Sequence, residues 1–187
     1  MIQRLILLSE KPSGQFPDTF HHMLTRAGLH VLKKLASEEI QPKGEADAIV
    51  LAIPVDRLTE YHPSKDLPLL WCCDGRDPHQ LSVKHFSPPD GLLFPGMDAN
   101  QIHWALRFSA ERHQRRLRLA RENERLTRKL EERKWIDQAK GILCQAKSLS
   151  EPEAYQLLRK HAMNERRRIA DVAASIVNVY QLLDDKK

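Results

Sequence analysis

From Asp98 to Ala146 the chain contains no proline and one glycine, Gly141. Proline breaks a helix interior and glycine weakens it, whereas the Arg, Leu and Glu that crowd residues 107–134 favour it. The stretch is therefore committed to one long helix joining two halves of the chain, and Asp98 is suited to cap its start. Within it, Leu119, Leu126 and Arg133 fall on one heptad track and Asn123, Leu130 and Asp137 on the other. The leucine pattern lasts about two heptads, which predicts a short coiled coil with Leu119, Asn123, Leu126 and Leu130 in the seam of a homodimer. An Asn in such a seam pairs with its mate and fixes the register; on a monomeric helix it is merely exposed. Arg112, Arg115, Arg116, Arg118, Arg121 and Arg125 surround the seam, either as a solvated face or beside phosphates.

The charge divides with the halves. Residues 1–98 hold 10 Lys/Arg against 13 Asp/Glu, a net −3, and residues 99–187 hold 20 against 12, a net +8. A basic second half is suited to a polyanion, although a solvated basic helix has the same composition.

The first half reads as alternating strands and helices. Residues 3–8 form a buried strand; Phe16, Phe20, Leu24 and Ala27 follow at helical spacing, stopped by Gly28. Residues 30–32 are a second strand. Residues 47–53 are a third, with the continuous apolar run that a parallel sheet buries on both faces. Residues 67–73 and 91–94 complete five strands, an α/β sheet with helices on both sides. The segment between the last two is proline-rich, so helices there are short or missing.

This order resembles the receiver domain of two-component response regulators, a flavodoxin-like fold. In that family an acidic pair follows the first strand, an Asp ending the third takes the phosphoryl group, and a Ser/Thr and a Lys end the fourth and fifth. Here Ser9 and Glu10 follow the first strand, Ala52 stands at the phosphoacceptor place, Cys73 at the Ser/Thr place, and Phe94 at the Lys place before Pro95. A shift of the alignment brings Asp56 nearest to the acceptor position, beyond Pro54. Phosphoryl transfer to a side chain needs a carboxylate nucleophile, a metal held by further carboxylates and a cation on the developing charge. Neither phosphorylation nor a metal site is expected, and the domain is read as a pseudo-receiver kept for docking and dimerisation.

Three helices close the chain. The first carries Ile136, Ala139, Ile142, Leu143 and Ala146 as a stripe and is broken at Ser148-Leu149. Ser150-Glu-Pro-Glu153 is a capping box, with Pro152 in the first turn where its missing N–H costs little. The second helix turns Ala154, Leu157, Leu158 and Ala162 inward. Asn164 is expected to cap the third, which buries Ile169, Val172, Ala173, Ile176, Tyr180 and Leu183. The three bury one small core, with alanines at close helix contacts.

At these residues the chain resembles the ANTAR family of RNA-binding antitermination modules. The resemblance covers residues 126–183. It rests on Glu132-Arg-Lys-Trp-Ile-Asp-Gln-Ala-Lys-Gly-Ile-Leu143, Ser150-Glu-Pro-Glu-Ala-Tyr155, Leu157-Leu-Arg159, His161-Ala-Met163 and Ile169-Ala-Asp-Val-Ala173. The layout is similar to antiterminators of the nitrate-assimilation (NasT) and amidase-operon (AmiR) types, nearer the former. Three parts are expected: a pseudo-receiver at 1–98, a coiled-coil linker helix at 99–130 and an ANTAR RNA-binding domain at 131–187. The resemblance implies that the protein binds paired leader-mRNA hairpins with hexanucleotide loops. The bound hairpins prevent a terminator from forming, so RNA polymerase reads through. It also implies a repressing partner, a ligand sensor of periplasmic-binding-protein type, released by nitrate, nitrite or another inducer. A dimer offers two modules to two hairpins.

Loop recognition uses stacking, base-edge hydrogen bonds and phosphate contacts. Candidates in the first matched block are Gln138, Lys140, Gly141 and Gln145, with Lys140 foremost. Gly141 either admits a ligand close to the backbone or lets helices pack. Tyr155 either stacks on a base or packs between helices. Arg159, Lys160, Arg166, Arg167 and Arg168 supply cations around the second and third helices; the last three are either phosphate ligands or a solvated helix start. His161 is read as structural.

Other functions fit less well. A DNA-binding response regulator is disfavoured by the Ala-Lys-Gly-Ile-Leu block; a protein–protein adaptor dimerising through the coiled coil would show no salt-dependent nucleic-acid binding. No catalytic set, P-loop or metal cluster stands out, so neither an enzyme nor a cofactor is expected. Cys72, Cys73 and Cys144 lack disulfide or zinc spacing and read as small hydrophobes. The longest apolar runs are too short to span a bilayer and no signal-peptide pattern opens the chain, so a cytoplasmic protein is expected.

Overall fold

A computed structural model describes residues 2–10, 14–36, 44–54, 57–58, 66–73 and 88–184, with the backbone alone for 183 and 184. The chain divides into two compact units, residues 1–119 and 120–187.

In the first unit the apolar runs form strands β1 (Arg4–Ser9), β2 (His30–Leu35), β3 (Ala48–Ala52), β4 (Leu69–Cys72) and β5 (Gly91–Leu93), with helix α1 (Gln15–Arg26) between β1 and β2. The strands are parallel in the order β2-β1-β3-β4-β5. That is the flavodoxin-like doubly wound order, so the expected receiver-like fold class is the observed one. Every residue of β3 is buried, as a central parallel strand requires. Alternate residues serve the two faces. Leu5, Leu7, Val50 and Leu70 pack with Phe20 and Leu24 of α1, while Ile6, Leu8, Leu51 and Trp71 point to the other face with Ile53 and Leu58. The described helices of this unit pack on the first face. The segments expected to supply helices to the second lie partly outside the described residues.

Helix α2 (Ala99–Lys147) fulfils the long-helix reading. Its start is a reciprocal cap: the Gln101 amide donates to Asp98 Oδ1 at 2.8 Å and the Asp98 amide to Gln101 Oε1 at 2.9 Å. The first turns of α2 bury Ile102, Leu106, Ser109 and His113, a 4-3-4 spacing that turns one face to the sheet unit. The end of the sheet unit therefore falls at Leu119 rather than at the helix start. β5 approaches α2 closely at Gly91, where a Cβ would sit 2.9 Å from Ser109 Cβ and 3.2 Å from Leu70 Cδ2. Gly91→Ala is accordingly expected to lower stability by about 1–3 kcal/mol through overpacking. An unchanged urea midpoint would mean that β5 and α2 can separate freely.

In the second unit the end of α2 packs with α3 (Glu151–Glu165) and α4 (Ile169–Asp184). Ala139, Leu143, Ala154, Leu158, Ala162, Val172, Ala173 and Val177 form the core. Ser148, at φ 52°, turns the chain out of α2, and the Ser150–Glu153 capping box starts α3, the Ser150 amide donating to Glu153 Oε2 at 2.9 Å. Three side-chain expectations are corrected. Asn164 does not cap the last helix: it lies inside α3, which ends when Arg166 turns left-handed (φ 53°) and the Arg167 amide donates to Ala162 O at 3.0 Å. Ala146 is exposed at the end of α2, and Tyr180 is exposed because Val177 takes the inward place on α4. The Leu183 side chain lies outside what is described. No described helix is long and apolar enough to cross a membrane.

Candidate nucleic-acid interface

The carboxyl ends of β1 and β3 flank the point where strand order reverses, the place where doubly wound folds hold ligands. Ser9 and Ala52 stand there, paired in register and buried. The Ala52 methyl offers no nucleophile. Cys73 is buried, its amide donating to Leu93 O at 2.8 Å, and Phe94 is exposed. Glu10 faces Arg57 at 3.7 Å. Burial pushes the Cys72 thiol well up, away from thiolate chemistry. Asp56 lies outside the described residues.

The second unit carries the candidate RNA residues on several faces. Gln138, Gly141 and Gln145 are exposed along the end of α2. A Cβ on Gly141 would meet nothing within 4 Å, so this glycine is not there to let helices pack, and its backbone is open to a ligand. Lys140 sits differently. Its Nζ lies 2.8 Å from Asp137 Oδ1 and 2.5 Å from Glu151 Oε1, and its side chain is only 17% exposed. The hydrogen bond to Asp137, then that to Glu151, pushes its pKa up to about 12. Its charge joins the end of α2 to the start of α3.

On α3, Tyr155 is exposed one turn after Glu151, and Arg159 a further turn on. The packing alternative for Tyr155 is therefore disfavoured. At the α3–α4 turn the three arginines separate. Arg167 donates to Glu165 at 3.2 Å and Ser175 Oγ at 3.0 Å, and Arg168 pairs with Glu132 of α2. Arg159, Lys160 and Arg166 are exposed and meet no carboxylate among the described residues. The other three candidate cations, Lys140, Arg167 and Arg168, are each ion-paired within the unit.

On α2, Leu119, Leu126 and Leu130 are 63%, 48% and 69% exposed. Asn123 Oδ1 accepts from Thr127 Oγ1 at 3.4 Å along the same helix. Sequence reasoning missed Trp104 and Phe108, exposed at i, i+4 with ring centroids 5.9 Å apart and Arg107 over the Trp104 ring at 5.6 Å. Their four-residue spacing off the Ile102–Leu106 face was the available signal. It also missed a buried cluster of Asp90, His113 and Arg116, which has no local signature.

Comparison with known proteins fits this second unit. Residues 124–177 match the family model described as ANTAR domain. The match begins inside the stretch read from sequence as linker. The nitrate regulatory protein of Klebsiella oxytoca is 40% identical over 53 residues, which is 28% of this chain and 13% of that protein. The matched part thus spans about an eighth of that relative's length. Among solved structures, the response regulator ChrA of a heme-sensing two-component system is similar at 13% identity and a TM-score of 0.39, covering 96% of this chain and 98% of that one.

Proposed function

From the premise that residues 124–177 are an ANTAR domain, we propose that this protein is a cytoplasmic transcription antitermination regulator of nitrate- or nitrite-assimilation genes, a regulator and not a catalyst. The ANTAR domain is the observation that carries the reading, and its likeness to part of a nitrate regulatory protein directs it to nitrate. The C-terminal unit binds two small leader-RNA hairpins through their hexanucleotide loops and so prevents a terminator from forming. Arg159, Lys160 and Arg166 meet phosphates, while Gln138, Gly141, Gln145 and Tyr155 face the loop. Lys140, Arg167 and Arg168 hold the helices that present them. Leu119, Asn123, Leu126 and Leu130 join two copies.

The first unit is a pseudo-receiver. With a methyl at Ala52 the phosphoacceptor place holds no nucleophile, and control passes to a ligand-sensing repressor of periplasmic-binding-protein type that releases the regulator when inducer binds. The test is binding of the full chain to a two-hairpin leader RNA taken from beside its own gene, against the same RNA with altered loops. Wild type is expected to bind only the intact loops. Arg159→Ala should weaken binding and reduce the salt slope by about 0.7–0.9. Equal affinity for both RNAs would remove loop recognition, and the absence of any salt-dependent binding would remove the RNA reading.

A further inference from the structure

Between the end of α2, α3 and α4, wholly within the second unit, lies a cleft of about 440 Å³. Resting on the RNA reading above, we propose that this cleft receives one unstacked nucleobase of the RNA loop. A cleft of this size falls in the range of small-ligand sites, about 300–1,000 Å³. Its walls include the partly buried Leu157 and Ile176 and the exposed Val179, an apolar surface suited to the face of a base.

The polar groups around that wall match the remaining needs of a nucleotide. Tyr180 lines the cleft and is 38% exposed, so its ring is available for stacking without any rearrangement of the core. Arg167 presents a second planar surface. Its guanidinium is fixed by Glu165 at 3.2 Å and Ser175 Oγ at 3.0 Å, so little freedom is lost when a base lies against it. His161 is exposed, bonds to nothing else among the described residues, and has a ring nitrogen for a base edge. Lys147, the last residue of α2, is exposed and unpaired among the described residues, placed for a flanking phosphate. The cleft lining thus carries two permanent cations and one carboxylate, and that carboxylate is already neutralised by Arg167. This balance suits an anionic strand. Tyr155, the other exposed tyrosine of the unit, is not part of this lining.

The experiment uses the full chain and the two-hairpin RNA with the fluorescent base 2-aminopurine placed at each loop position in turn. Wild type should change the fluorescence at one loop position. Tyr180→Ala should abolish that change and weaken binding about 5- to 150-fold, the range for loss of one stacked base. Tyr180→Phe should restore both, and His161→Ala should weaken binding. Unaltered fluorescence and affinity in Tyr180→Ala and His161→Ala would overturn the proposal while leaving RNA binding standing. Retained RNA binding with lost self-association in Tyr180→Ala would likewise overturn it, assigning the cleft to a second copy of the chain. Failure of wild type to bind the RNA would instead remove the antiterminator reading.

Discussion

Replacing Asp90 by alanine is expected to destabilise the sheet unit by about 3 kcal/mol. Asp90 precedes β5 and is 3% exposed. Its carboxylate accepts the Leu69 amide at 3.0 Å, Arg116 Nε at 3.1 Å and Arg116 Nη2 at 3.0 Å, with His113 Nδ1 at 3.3 Å. The cluster ties α2 to the end of the sheet beside β4 and β5. Without it, a buried N–H at the start of β4 loses its acceptor, which by itself costs about 1–3 kcal/mol. Arg116 loses the counter-charge that Asp90 supplies, and His113, whose buried Nε2 has no partner among the described residues, keeps Arg116 Nη2 at 2.9 Å beside its Nδ1 but loses the carboxylate. Removing one member of a buried ion pair costs about 3–5 kcal/mol, and the partial exposure of Arg116 places this case at the lower end. Asp90→Asn keeps an acceptor for Leu69 and should lose less. Urea unfolding followed at Trp71, with Trp104 and Trp135 replaced by Phe, reads the effect. A loss under about 1 kcal/mol would mean that α2 is held to the sheet by Ile102 and Leu106 with little help from the charges.

The contrast between what was legible in the sequence and what was not follows the range of the forces involved. Strand positions depend on runs such as Leu5–Leu8, where the chain's own periodicity carries the signal, and they emerge within a residue or two except at the end of β2, which runs three residues past the expected Leu32 to Leu35. The Ser150 capping box and the Asp98 cap were both readable, because each lies at its helix start, whereas the return bond from Gln101 to Asp98 was not read. Asn164 failed because a cap preference is local and weak. Burial of Ala162 and the Arg167 amide on its carbonyl carry α3 past it. Lys140 shows the same limit at the candidate site. Its neighbour Asp137 was readable at i−3, but Glu151 comes from the next helix, and together they hold its charge between α2 and α3. The Asp90–His113–Arg116 cluster joins residues more than twenty positions apart, and the Tyr180 cleft needs three helices at once. Neither leaves a pattern in one dimension.

Leu126→Glu is expected to lower affinity for the two-hairpin RNA by about 10²- to 10⁴-fold while leaving affinity for a single hairpin nearly unchanged. The seam leucines stand exposed on α2 at spacings of seven and four, which presents them repeatedly to one side. Burying each against a second copy contributes about 1.5–3 kcal/mol. A Glu at position 126 removes that contribution in both copies and places two carboxylates in one apolar seam. The dimer should therefore separate, and sedimentation should report a monomer. Each monomer keeps the fold of its C-terminal unit, because Leu126 packs in none of its core. What is lost is the linkage that makes capture of the second hairpin intramolecular. Equal losses on one and two hairpins would identify residue 126 as an RNA contact. A dimer that survives Leu126→Glu would move the self-association surface elsewhere, with the exposed Trp104–Phe108 pair as the next segment to change.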